Sequence, residues 1–176
     1  YKVYGGVEFF ERREVKDLVA YLRVIANTSD QEAILRIINY PRRGIGEKLL
    51  GNVVEQNRTE NIPLWTLLNN AVQQPKLQAF VHLIETAQKK FEERPLGEAL
   101  SWLIDRINYK KAIEEEVKST KMRTMKWENV QELVSAIADY DLNPTIEEEK
   151  TIIHFLSHAS LDKTFEEKKK IVHEDH

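Results

Sequence analysis

The chain contains no cysteine, which excludes a disulfide framework, a thiolate zinc site and a cysteine nucleophile. That absence suits a reducing cytoplasm. No apolar run approaches the roughly 18 residues needed to span a bilayer, so membrane insertion is not expected. An excess of one charge is missing too: 26 basic side chains stand against 29 acidic ones, for a net charge of -3. Nucleic-acid binding therefore cannot rest on bulk charge and needs a local patch. Catalytic signatures are also lacking. There is no Gly-x-x-x-x-Gly-Lys-Ser/Thr phosphate loop and no Gly-x-Ser-x-Gly elbow, and the paired acids stand in exposed Glu runs. No catalytic residue, cofactor or metal is expected of this chain in isolation. The chain opens at Tyr1 with neither an initiator Met nor a targeting segment, and reads as an excised or processed piece.

What is present suits a soluble globular protein. At 176 residues, with 41% hydrophobic and 31% charged side chains, one main domain with a sizeable core is expected. Tyr1 to Tyr4 is a short β-prone stretch ending at Gly5-Gly6, an orphan strand in a chain that otherwise reads as helix. Val15, Leu18, Val19, Leu22 and Ile25 recur at helical spacing from Glu11 to Asn27. Ser29-Asp30-Gln31-Glu32 matches a capping box and opens a second helix that turns Ile34, Leu35, Ile37 and Ile38 inward and stops before Pro41. Leu49, Leu50, Val53 and Val54 define a third helix to about Asn57.

Further stripes follow at Leu77, Phe80, Val81, Ile84 and Phe91, then at Leu96, Leu100, Leu103, Ile104 and Ile107. Pro63 and Pro95 suit first-turn positions. A long helix is predicted from about Met122 to Asp139 through Val130, Leu133, Val134 and Ile137. Thr145-Ile146-Glu147-Glu148 then matches a second capping box, opening a last helix that buries Ile152, Ile153 and Leu156. In that reading the triplet Glu147 to Glu149 complements the helix dipole. After Leu161 the chain turns Glu- and Lys-rich, as a solvated helix end or disordered tail would. The fold class is all-α, an irregular multi-helix domain with one orphan N-terminal strand.

The most informative segment is Pro41-Arg42-Arg43-Gly44-Ile45-Gly46, between two amphipathic helices. Glycines free the backbone to adopt positive φ and to approach another surface, and the following helix starts with unpaired, partially positive N–H groups. Arg42, Arg43 and Lys48 surround this turn with mobile positive charge that would follow a nucleic-acid backbone without reading its sequence. The same residues also fit a plain tight connection between helices with solvated arginines. Context favours the layout of a helix-hairpin-helix module, with Ile45 pointing inward as the anchor and main-chain amides facing a phosphate.

Other clusters read more plainly. Lys110, Lys111, Lys118, Lys121, Arg123 and Lys126, interrupted by Glu114, Glu115 and Glu116, fit a solvated helix face, with a second nucleic-acid contact as the other reading. His154 and His158 stand four apart, a metal-compatible spacing, but Phe155 takes the place where a zinc-peptidase motif carries glutamate. Trp65, Trp102 and Trp127 fall near apolar stripes and are expected in the core.

The run Gly5-Gly6, Phe9-Phe10, Arg12, Glu14-Val15-Lys16-Asp17 and Ala20-Tyr21-Leu22-Arg23, followed by Leu35-Arg36-Ile37-Ile38-Asn39 and Pro41 to Gly46, resembles the UvrD/PcrA/Rep-type superfamily 1 DNA helicases. Glu128-Asn129-Val130-Gln131-Glu132-Leu133 is similar to a recurring segment of the same proteins. The resemblance implies residues 1–27 as the end of the first half of the 2A motor subdomain. It implies 28–161 as the helical 2B subdomain and 162–176 as a charged tail returning toward 2A. Rigid-body swivelling of 2B would place hinges near Asn27 to Asp30 and beyond Leu161.

The implied parent is an ATP-driven motor moving 3′ to 5′ on single-stranded DNA, with ATP and magnesium bound outside this fragment, in the bacterial cytoplasm at the nucleoid. The implied role is contact with duplex DNA at a single-strand/double-strand junction through Arg42, Arg43, Gly44, Ile45, Gly46 and Lys48. Further implied partners are the parent's own motor subdomains and repair proteins. Two rivals come from other classes: a protein-interaction or autoinhibitory module, and a metal-dependent hydrolase using His154 and His158.

Overall fold

The computed structural model describes residues 7–159. The β-prone stretch at Tyr1 to Tyr4 and the charged segment after Leu161 lie outside the described residues. Among the described residues every regular element is a helix and no strand occurs, as an all-α chain requires. In order these are α1 (Val7–Glu11), α2 (Arg13–Ala26), α3 (Gln31–Ile37), α4 (Glu47–Glu60) and α5 (Leu64–Asn70). Then come α6 (Pro75–Glu93), α7 (Leu96–Arg106), α8 (Tyr109–Glu116) and α9 (Thr120–Leu142). The last is α10, over 152–159.

Length predicts one main domain, whereas the chain divides into two compact units: Tyr1–Val19 with Arg94–His176, and Ala20–Glu93. The first crossing falls inside α2, where a continuous helix leaves no linker composition to read. The second falls at Arg94, next to Pro95.

In the unit comprising Tyr1–Val19 and Arg94–His176, α7, α8 and α9 pack around Leu100, Leu103, Ile113, Val130, Leu133 and Ile137, all buried. Each such side chain contributes about 1.5–3 kcal/mol relative to exposure. Gly97 sets how closely α7 approaches α9, since a Cβ there would lie 3.1 Å from both Cα and Cβ of Ala138. The Asp141 carboxylate accepts from the Leu96 amide at 3.1 Å and the Gly97 amide at 2.7 Å. It thereby caps α7, which Pro95 cannot do because proline has no side-chain acceptor.

A buried polar knot ties the N-terminal helices to α9. The Glu14 carboxylate accepts from Asn129 Nδ2 at 2.8 Å, Asn129 Oδ1 accepts from Arg12, and Tyr109 Oη donates to the Glu14 carbonyl at 3.1 Å. These bonds satisfy groups whose burial would otherwise be costly.

In the unit Ala20–Glu93, the end of α2 and helices α3 to α6 enclose Tyr21, Ile34, Ile37, Leu68, Phe80 and Ile84, all inaccessible to solvent. Side-chain amides close the helix junctions. Gln31 Oε1 accepts from the Leu64 amide and from Asn57 Nδ2, each at 2.9 Å, while Gln78 Nε2 donates to the Leu68 carbonyl at 3.0 Å.

Several local expectations are corrected. Asp30, not Ser29, caps α3, its carboxylate accepting from the Ala33 amide at 3.1 Å. The last helix is capped by Thr151, whose Oγ1 accepts from the His154 amide, while Thr145 hydrogen-bonds to Asn143 in an irregular stretch that also holds Glu147 to Glu149. Adjacent candidate caps compete on equal terms in sequence, and tertiary position decides between them. Leu35 and Ile153 are exposed, whereas Phe155 faces the core. Pro63 and Pro95 stand at the N-cap, one position ahead of the first turn. Trp65, Trp102 and Trp127 are half-buried rather than core residues.

Candidate nucleic-acid interface

The turn between α3 and α4 is built around Asn39. Its Oδ1 accepts from the Arg43 amide at 3.0 Å and the Ile45 amide at 3.3 Å, and its Nδ2 donates to the Ile45 carbonyl at 3.0 Å. One side chain thus holds both ends of the bend. Ile45 is 3% exposed and anchors the turn from below, while Gly44 and Gly46 stand in solvent.

The two glycines differ in what they do. Gly44 has φ +73°, the left-handed region that glycine occupies without strain. Gly46 has φ -70° and ψ 150°, and serves as the N-cap of α4 without any side-chain cap. The first amides of α4, at Glu47, Lys48 and Leu49, therefore lack intrahelical acceptors. The amides of Gly44 and Gly46 likewise make no hydrogen bond among the described residues. An exposed set of N–H groups beside a helix N-terminus is arranged to receive an anion.

The basic side chains divide sharply. Arg42 and Lys48 are exposed. Arg43, expected to be mobile, is instead bound internally: its Nη1 donates to the carbonyls of Ile37 at 2.6 Å, Ile38 at 3.1 Å and Tyr40 at 3.4 Å. Its Nη2 donates to Tyr21 Oη, and the guanidinium lies 5.3 Å from the Phe80 ring centroid and 5.7 Å from that of Tyr21. Tyr21 Oη in turn donates to the Tyr40 carbonyl at 2.6 Å. Arg43 therefore supplies the donor for the Ile38 carbonyl, adds a second donor at Ile37 and Tyr40, and fixes the turn from within, a use that suits its planar fork.

A residue missed in the sequence completes the surroundings. Lys76, in the first turn of α6, donates from Nζ to the Gly44 carbonyl at 2.9 Å. The only acid in the first turn of α4 is Glu47, which is exposed.

Four members of the Lys110 to Lys126 cluster have partners within their own unit. Lys126 pairs with Glu14 at 3.5 Å, Lys111 with Glu115 at 3.8 Å, Lys110 lies 5.4 Å from the Trp127 ring centroid, and Arg123 donates to the Val117 carbonyl. His154 and His158 stack with ring centroids 6.2 Å apart, and His154 hydrogen-bonds through Nδ1 to Tyr140 Oη. Burial pushes the Tyr140 phenol above its ordinary value; the charges of Asp141 and Glu148 act in the same direction, and a hydrogen bond with the Thr151 backbone opposes them. Among the described residues, no group of three or more His, Asp or Glu side chains is placed to hold a metal ion.

Residues 1–174 match the family model of the UvrD-like helicase C-terminal domain. The chain belongs to this family. It is 35% identical over 169 residues to DNA helicase II of Salmonella typhimurium and, equally, to that of Escherichia coli. It is 33% identical over 169 residues to the ATP-dependent DNA helicase PcrA of Staphylococcus aureus. Each match covers 92% of this chain and 23% of the relative, so the chain spans about a quarter of the length of the curated relatives it matches. Two segments carrying the resemblance to the UvrD-like proteins meet physically in the knot of Arg12, Glu14 and Asn129. No helix among the described residues is long and apolar enough to cross a membrane.

Proposed function

We propose that this chain is the accessory 2B-type part, with flanking 2A segments, of an ATP-dependent 3′ to 5′ DNA helicase, and that its exposed glycine turn holds the backbone of duplex DNA ahead of a strand junction. The observation that supports this reading is the set of unpartnered amides at Gly44, Gly46, Glu47 and Lys48, flanked by the exposed Arg42 and Lys48 side chains, in a chain of the UvrD-like family. In this proposal residues 1–27 belong to 2A, 28–161 to 2B and 162–176 to the return toward 2A.

The contact is sequence-independent, because backbone amides and flexible cations meet phosphates rather than base edges. Arg42, Gly44, Gly46 and Lys48 face the DNA, while Ile45 and Arg43 hold the turn in shape. The parent's ATP and magnesium would lie outside this chain, which carries no nucleotide phosphate loop. Repair proteins and the parent's motor subdomains are its proposed partners, in the cytoplasm at the nucleoid.

Titration of a fluorescent duplex and of the matching single strand at several salt concentrations tests this proposal. Wild-type protein is expected to prefer the duplex and to bind with a steep salt dependence. Arg42→Ala/Lys48→Ala is expected to weaken binding and flatten the slope by roughly 0.9 for each phosphate no longer neutralised. Equal affinity and slope for the two proteins would remove the assigned role.

A protein-docking module is the second reading. Its support is the pair Met122 and Met125, three apart on α9 and 42% and 43% exposed. Methionine at exposed positions suits adaptable apolar contacts.

A further inference from the structure

We infer that Lys76 is a further cation of the duplex-backbone site, held on the Gly44 carbonyl in the free protein and transferred to a DNA phosphate on binding. This inference rests on the duplex reading above. Lys76 lies 32 positions from Gly44 and reaches the turn only through the fold.

Three observations carry it. Nζ stands 2.9 Å from the Gly44 carbonyl oxygen, and a Cβ at Gly44 would itself be 2.9 Å from Nζ, so the ammonium group lies directly beside the bend. The side chain is exposed, and its partner among the described residues is that neutral carbonyl rather than a carboxylate. An ammonium group has three donors, so hydrogen-bonding capacity and full charge remain for another acceptor.

Helix stability does not explain the position. Lys76 occupies the first turn of α6, where the positive end of the macrodipole disfavours a cation. The same placement adds its charge to the positive ends of α6 and α4 beside the turn. In a chain with net charge -3 this is a local concentration of positive potential. A phosphate near Gly44 would attract the ammonium group more strongly than a neutral carbonyl does. The first turn of α4 holds one acid, Glu47, and that of α6 holds none, which leaves the potential largely intact.

Duplex titrations over a salt series with the full chain and with Lys76→Ala, Lys76→Arg and Arg42→Ala/Lys48→Ala test the inference, with thermal melting of each variant alongside. Lys76→Ala is expected to bind severalfold more weakly, with a salt slope about 0.9 shallower, and Lys76→Arg to restore the slope. A Lys76→Ala protein that matches wild type in affinity and slope while Arg42→Ala/Lys48→Ala loses both would overturn the role of Lys76 and leave the duplex reading standing. Lys76→Ala binding more tightly than wild type would mark a masking lysine and overturn it as well. Unchanged binding in all three variants would sink both proposals together. A loss in Lys76→Ala that Lys76→Arg does not recover would point to turn geometry rather than charge, and would also count against it.

Discussion

Asn129 lies between Glu14 and Arg12, donating to the carboxylate of one at 2.8 Å and accepting from the guanidinium of the other. Both Glu14 and Asn129 are 6% exposed. Removing the amide strands a buried carboxylate without its closest donor, leaving the Lys126 ammonium at 3.5 Å. Asn129→Ala is expected to cost about 1–3 kcal/mol of folding stability, measured by urea unfolding. Asn129→Asp should cost more at neutral pH, because it sets a second carboxylate against Glu14.

Arg43 gives a prediction that separates holding the turn from touching DNA. Arg43→Ala takes the donor from the Ile38 carbonyl and one of two donors from the Ile37 carbonyl, which keeps the Tyr40 amide, and should lower stability by about 1–3 kcal/mol. Arg43→Lys should recover less than half, since an ammonium lacks the planar fork. In both variants the salt slope of duplex binding should stay at the wild-type value under conditions where the protein is folded. A slope reduced as in Arg42→Ala/Lys48→Ala would place Arg43 on the DNA instead.

The paired glycines should respond differently to substitution. Gly44→Ala forces a side chain into the left-handed region and is expected to cost about 1–2 kcal/mol. Gly46→Ser should stay within roughly 0.5 kcal/mol of wild type, because a Cβ there meets nothing within 4 Å and serine is a favoured N-cap. Thermal denaturation of the two variants checks this contrast.

Gly97 tests the packing of α7 on α9. Gly97→Val would press side-chain atoms into Ala138 backbone that lies 3.1 to 3.3 Å from the first added carbon. A loss of roughly 1–3 kcal/mol is expected, as for other overpacked cores, and calorimetry would read it.

These cases show where local pattern suffices. Ile45 between two glycines and the stripe of Leu77, Phe80, Val81 and Ile84 are legible because burial follows directly from spacing. Arg42 and Arg43 are indistinguishable neighbours in sequence; only the rings of Tyr21 and Phe80, distant along the chain, assign one to solvent and the other to the interior. Lys76 is invisible for the same reason. Asp30 and Thr151 win over Ser29 and Thr145 because capping depends on where the helix is anchored, and a motif of four residues does not carry that. The orphan strand expected at Tyr1 to Tyr4 falls outside the described residues.

Duplex contact at the glycine turn is tested most directly by amide chemical-shift mapping of the isotopically labelled chain during titration with a short DNA duplex at low salt. The earliest and largest changes are expected on the amides of Gly44, Gly46, Glu47 and Lys48, with those of Arg43 and Ile45, bonded to Asn39, moving less. Saturable binding that leaves Gly44 to Lys48 unmoved while amides elsewhere shift would contradict it.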